Sequence, residues 1–179
     1  DYPCSFMFVA SMNPCPCGYY GDPTHRCVCT PGQIQRYMNK ISGPLLDRID
    51  IQCEISPVPF QDISKAAPGE PSAKIRERVI KAREVQAERF KDYKGIHCNA
   101  QMTERMIHQF AEPDEQGIEL LRMAMEKLSL SARAYNRILK VARTIADLAG
   151  SEQIKPDHIA EAVGYRTLDR GDWAERGHL

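Results

Sequence analysis

Apolar residues recur along the chain in more than one rhythm, and each rhythm predicts a different element. Residues 5–12, SFMFVASM, form a short continuous apolar run closed by Asn13-Pro14, the pattern of a strand buried in a parallel sheet. Residues 13–32 are dense in Gly and Pro and predict a loop. In residues 33–42 the apolar side chains Ile34, Tyr37, Met38 and Ile41 keep helical spacing, and Gly43-Pro44 stops them. Ile49, Ile51, Cys53 and Ile55 then alternate with Asp50, Gln52 and Glu54, which predicts a half-buried strand. Residues 57–72 carry four prolines and read as a linker. Ser72 is an N-cap candidate for a charged helix reaching about Tyr93.

Beyond residue 100 the pattern is helical throughout. Helices are expected from about Thr103 to Phe110, from about Asp114 to Leu128, and from about Ser131 to Ala149 with Gly150 as the residue just past the end. A last helix opens near Pro156, which suits a first helical position, and ends near Val163. The polar tail LDRGDWAERGHL is expected to fray. The order predicts two parts: an α/β core remnant over residues 1–57, and an all-α bundle over 72–165. Between them lies a linker, 58–71, and after them a flexible tail, 166–179.

Composition narrows the function classes. The chain has 179 residues, 42% hydrophobic and 27% charged, which fits a globular protein with a real core. No apolar run approaches the ~20 residues a bilayer crossing needs, and no basic-then-apolar leader opens the sequence. No membrane partner is therefore expected. Opening on the run-in to a buried strand, the chain is expected to be part of something longer. Its 24 basic and 24 acidic residues cancel, so the basic excess typical of a free-standing nucleic-acid binder is missing. Seven cysteines in a chain of this length point to a reducing, cytoplasmic setting and not to a disulfide scaffold.

Chemistry concentrates at a few positions. In SLSARAYNRILKVARTIADLAG, one apolar face comprises Ala134, Ile138, Val141, Ala142, Ile145, Leu148 and Ala149, and another face carries Arg133, Arg137, Lys140 and Thr144. Arg133 falls in the first turn, where the helix dipole opposes a cation, so it needs an anion partner or else belongs to a solvated cationic face. Arg48 stands between Asp47 and Asp50, offering either planar recognition of a phosphate or a local Arg–Asp ion pair of little worth. Asn13 follows the expected strand at its carboxyl end. It is there either to orient a water or phosphate oxygen, or as a turn-former before Pro14. The 72–93 helix holds seven basic residues against four acidic ones, a face for nucleic acid, for a neighbouring subunit or simply for water. His97, His108, His158 and His178 show no ligand spacing.

The loop itself carries Cys15-x-Cys17 and, nine residues on, Cys27-x-Cys29. Two close thiol pairs can close on Zn²⁺, with His25 as a substitute ligand, and a loop with so little core would gain its order from the metal. Free reduced thiols and disulfides formed in air fit the same spacing.

In order, FMFVASMNPCPCG, ISGPLLDRID, LSARAYNRILKVARTIADL and IKPDHIAEAVGYR resemble the C-terminal half of magnesium-chelatase-related AAA+ ATPases, above all their bacterial competence-linked branch, from about Ser5 to Asp169. The resemblance implies that Asn13 is the sensor-1 residue that places the attacking water. It implies that Arg48 is the arginine finger reaching the ATP of a neighbouring subunit, and Arg133 the sensor-2 residue, with Arg137 as the fallback. It also implies a homo-oligomeric ring, usually a hexamer, with ATP and Mg²⁺ as cofactors and DNA as the substrate remodelled, as in branch migration. Two other roles stay open: a zinc-binding interaction module, and a motor subunit for magnesium insertion into a tetrapyrrole. No G-x-x-x-x-G-K-[ST] motif occurs, and no apolar strand ends in Asp-Glu. The phosphate cradle and the Mg²⁺ carboxylate are therefore expected upstream of Asp1. By itself the chain is expected neither to bind ATP tightly nor to hydrolyse it, and metal-dependent turnover by the pure chain would overturn that.

Overall fold

A computed structural model describes Cys4, residues 6–55, Val58, Asp62, Ser64 and residues 69–166. Most of the expected linker and residues 167–179 of the expected tail lie outside the described residues. The described residues divide after Ser42 into two compact units.

The first unit is a loop closed by one helix, α1 (Pro31–Met38). Thr30 caps it: its hydroxyl accepts from the Gln33 amide while the Gln33 side chain accepts from the Thr30 amide, and Pro31 fills a position where no amide is needed. Ile34 and Met38 turn inward and pack with Cys15, and Tyr37 lies partly against them. Ahead of the loop, residues 6–12 take no regular secondary structure and pair with nothing as a strand. Phe6, Met7 and Val9 are 72%, 87% and 80% exposed. A parallel strand needs ladder partners on its edges and cover on both faces, and no strand among the described residues supplies either.

The second unit begins at Gly43 with the short helix α2 (Gly43–Leu46). It continues through α3 (Ser72–Arg89), a 3₁₀ turn at Asn99–Gln101, α4 (Glu104–Phe110), α5 (Glu115–Leu128), α6 (Ala132–Leu148) and α7 (Pro156–Gly164). Local capping chemistry fixes most of these ends. Thr103, Asp114 and Ser131 each accept from the amide three residues on, at Met106, Gly117 and Ala134. Ser129 closes α5 in the left-handed conformation (φ 50°), and Gly150 (φ 67°) follows α6. His158, given no chemistry by spacing, caps α7: its Nδ1 accepts from the Lys155 amide.

α6 is the spine of the bundle. Ile138, Leu139, Ala142 and Ala146 are buried among Met106, Ile107, Leu121, Ile154, Ile159 and Ala162. Leu148, expected on the buried face, is 44% exposed, whereas Leu139 takes its place inside. Two boundaries of α3 differ from expectation. Pro71, and not Ser72, occupies the cap, without a side-chain bond. The helix stops at Arg89 and not near Tyr93 because Phe90 turns into the core at 2% exposure, edge-on to both Tyr93 and Phe110.

The strand expected over Ile49–Ile55 does not form. Ile51 and Ile55 are exposed, and the residue facing inward is Gln52, 6% exposed. Its amide donates to the Tyr165 carbonyl and its side chain to the Leu46 carbonyl. Polar anchors at the end of α7, and not an apolar face, dock this segment. Arg166, at which the expected tail begins, is one of them: it is 1% exposed and donates to the Ile49 carbonyl.

Candidate functional site

Three arginines flagged by the sequence come together in the second unit, where the turn after α2 meets the start of α6. The turn carries Asp47, Arg48 and Asp50. Ser131, the N-cap of α6, donates to Asp47 Oδ2 at 2.9 Å while accepting from the Ala134 amide. Arg166 adds a longer contact to Asp47 Oδ1, 3.4 Å. Asp50 is ion-paired with Arg137. Both carboxylates beside Arg48 are thus engaged by residues far along the chain, and the local Arg–Asp pair does not form. Arg48 instead donates back to the Pro44 carbonyl of α2 at 2.7 Å and leaves the rest of its guanidinium exposed.

Arg133 lies one turn ahead of Arg137 on α6. It is exposed and makes no hydrogen bond or ion pair among the described residues. It borders a cleft of about 340 Å³ lined also by Leu46, Asp47, Leu128, Leu130 and Ser131. An unpaired cation beside the positive end of a helix dipole is unfavourable on its own and favourable for an anion, so this corner is suited to phosphate. Lys140, further along α6, has its ammonium pKa lowered by burial and by Arg137, and donates to the Ala100 carbonyl. It belongs to the packing of the bundle.

Asn13 stands in the first unit, exposed, its amide beside Gly18. Directly after it come the cysteines. The Sγ atoms of Cys15, Cys17, Cys27 and Cys29 lie within 4.8 Å of one another. Cys15–Cys17, Cys17–Cys27 and Cys15–Cys27 are 3.3, 3.5 and 3.7 Å apart, and none is disulfide-bonded. Gly18 (φ 85°) makes the turn that returns its amide to the Cys15 carbonyl, a conformation other residues rarely adopt. Backbone amides of Tyr19 and Val28 donate to Cys17 and pull its thiol down to about 6. The Cys29 amide does the same for Cys27, but burial and the neighbouring thiols outweigh it and push Cys27 up to about 12. Burial raises Cys29 as well. Sulfurs this close tolerate one negative charge readily and resist a second. His25 is not part of the group. It hydrogen-bonds Thr24, faces Asp22 and stacks on Tyr19 in an exposed turn.

A polar network that the sequence reading missed lies inside the bundle. Arg89 grips Asp147 with both terminal guanidinium nitrogens, and Asn99 and Arg143 donate to the same carboxylate. Arg143 also donates to the carbonyls of Ser151 and Glu152.

Comparison with known proteins matches this layout over nearly the whole chain. A family model described as magnesium chelatase, subunit ChlI covers residues 1–63, and one described as magnesium chelatase, subunit ChlI C-terminal covers residues 69–166. The chain belongs to the magnesium chelatase ChlI family. Within this family it is similar to competence protein ComM of Haemophilus influenzae, 43% identical over 171 residues, which is 95% of this chain and 32% of that protein. It is 44% identical over 170 residues to the uncharacterized protein YifB of Escherichia coli, with 94% and 32% coverage. An uncharacterized protein of Mycobacterium tuberculosis is 36% identical over 165 residues, covering 92% and 32%. The chain therefore spans about a third of the length of these relatives. The ChlI-family match to residues 1–63 contains Asn13, the cysteines and Arg48, and the C-terminal match contains Arg133 and Arg137. No helix among the described residues is long and apolar enough to cross a membrane.

Proposed function

We propose that the chain is the sensing and lid portion of a AAA+ ATPase, whose remaining α/β core and phosphate cradle lie elsewhere in the full-length protein. In this reading Arg133 is the sensor-2 residue, touching the γ-phosphate of ATP bound with Mg²⁺. Arg48 is the finger offered to the ATP of the next subunit in a ring, and Asn13 orients the attacking water. The observation that carries it is the division of labour among the arginines. Arg137 is committed to Asp50, while Arg133 and Arg48 keep guanidinium groups exposed and free of any carboxylate. Phosphoryl transfer asks little of a protein beyond position and positive charge, and these groups can supply both. Residues 6–12, apolar and unpaired here, are the strand that the rest of such a core would receive. The similarity to a competence protein favours DNA as the substrate remodelled over a tetrapyrrole.

The test compares Arg133→Ala with Arg137→Ala in the full-length protein. Loss of a charge-assisted contact to phosphate costs about 1.5–3 kcal/mol, so Arg133→Ala should lower kcat/KM for ATP by roughly ten- to a hundred-fold. Arg137→Ala should cost turnover less than about five-fold, since an exposed ion pair is worth about 0–1 kcal/mol. The reverse order of effects would move the sensor to Arg137, and wild-type kinetics in both would remove it from α6.

A further inference from the structure

We propose that Cys15, Cys17, Cys27 and Cys29 form a closed, structural Zn²⁺ site that orders the loop between Asn13 and α1. Zinc holds thiolate sulfur at about 2.3 Å in a tetrahedron, which places the sulfurs about 3.8 Å from one another. Three of the separations, 3.3, 3.5 and 3.7 Å, cluster just below that edge, and all four sulfurs fall within 4.8 Å. A disulfide would have brought two of them to about 2.05 Å. In an iron–sulfur cluster four cysteines are spread over two or more iron atoms, so not all of their sulfurs can lie as close together as ligands of one ion. The donor set also chooses the metal. Four soft sulfurs suit Zn²⁺ and exclude the oxygen-seeking Mg²⁺ and Ca²⁺.

The surroundings supply what a structural site requires. Cys15 is fully buried against Ile34 and Met38 of α1, while Cys17, Cys27 and Cys29 are half-buried, so no coordination position faces open solvent alone. Backbone amides of Tyr19 and Val28 point at the Cys17 sulfur, the outer-shell donors that fix a thiolate in place. Beyond these contacts the first unit has little to hold it. Its buried residues among those described are Cys15, Ile34 and Met38, a core too small to order the loop by burial. Binding would convert the four cysteines and Zn²⁺ into a tetrathiolate complex, releasing to solvent whatever protons the thiols still hold, and the binding free energy becomes ordering free energy for the loop. Asn13, two residues before the first ligand, would be positioned by it.

The test uses the full 179-residue chain, purified with reductant and without chelator. Metal analysis should find about one zinc per chain, and Cys53→Ser, at an exposed position, should retain it. Cys17→Ser and Cys27→Ser should weaken zinc binding by more than roughly 10–100-fold. Because those variants can also unfold the loop, the metal-free wild-type chain should be titrated with Co²⁺. The expected spectrum has the visible bands of tetrahedral cobalt and intense thiolate-to-cobalt charge transfer, both erased by added Zn²⁺. Zinc well below about half an equivalent, iron in its place, the mass loss of a disulfide, or a cobalt spectrum without thiolate bands would each overturn the site.

Discussion

Arg48→Ala in the full-length protein is expected to reduce ATP turnover by about 10³–10⁵ while leaving ATP affinity within a few-fold, since that is the range a trans-acting arginine finger supplies. The expectation rests on where the neighbouring charges went. Beside Asp47 and Asp50, Arg48 has two local carboxylates that would neutralise it. Asp47 accepts from Ser131 and is met by Arg166, and Asp50 is paired with Arg137. What remains to Arg48 is one bond to the Pro44 carbonyl, which holds the stem and leaves the rest of its fork exposed. Truncating it removes no buried contact, so stability should change by no more than about 0.5 kcal/mol. Arg48→Lys should recover little, because an ammonium lacks the planar fork. Mixing intact subunits with Arg48→Ala subunits that also lack a working phosphate cradle should lower activity below the intact fraction if the finger acts across the interface, and would match that fraction if it acted within its own subunit. Wild-type turnover by Arg48→Ala would remove Arg48 from the chemistry.

The same residues show what the sequence could and could not reveal. Caps were legible because they are local. Thr103, Asp114, Ser131, Pro156 and Gly150 mark their helices by bonds spanning three or four residues, or by a single φ. The paired C-x-C spacing was legible for the same reason, and the sulfurs do converge. Strands were not, since the apolar run at 6–12 and the alternation at 49–55 state only a preference, and a strand exists only with a partner. Charge was least legible of all. Arg89 is one of the seven basic residues of the 72–93 segment, whose charge suits nucleic acid, a neighbouring subunit or water alike, yet its partner Asp147 lies 58 residues on. The acceptors that free Arg48 are claimed by groups 84 and 87 residues away. Nothing in a periodicity separates a paired arginine from an unpaired one. The discrimination between Arg133 and Arg137 therefore had to come from contacts.

Asp147→Ala is expected to be the most destabilising single change in the helical unit, costing about 3–5 kcal/mol. Its carboxylate is fully buried, and Arg89 and Arg143 beside it are 13% and 4% exposed. Removing it strands two guanidinium groups and the Asn99 amide, while the pieces it joins, α3, the 3₁₀ turn and α6, lose their only shared anion among the described residues. At about 4–8 °C per kcal/mol for a unit of this size, the melting temperature should fall by more than roughly 12 °C, read by circular dichroism. Replacing Arg89 as well, by Met, should return part of the loss, because the penalty lies in the unpaired charge more than in the missing bond. The pH dependence has a definite sign. Burial alone would raise the Asp147 pKa, but the bonds from Arg89 and Asn99 and the charge of Arg143 overcome it and hold the carboxyl below its ordinary 3.8. A carboxyl lowered in the folded state stabilises above the ordinary value and loses that contribution as pH falls through the folded value. The wild-type unit should therefore lose stability below about pH 4 more steeply than Asp147→Asn, which has no proton to gain. A melting temperature unmoved in Asp147→Ala, or parallel acid profiles for the wild type and Asp147→Asn, would show that the network is held by packing and not by charge.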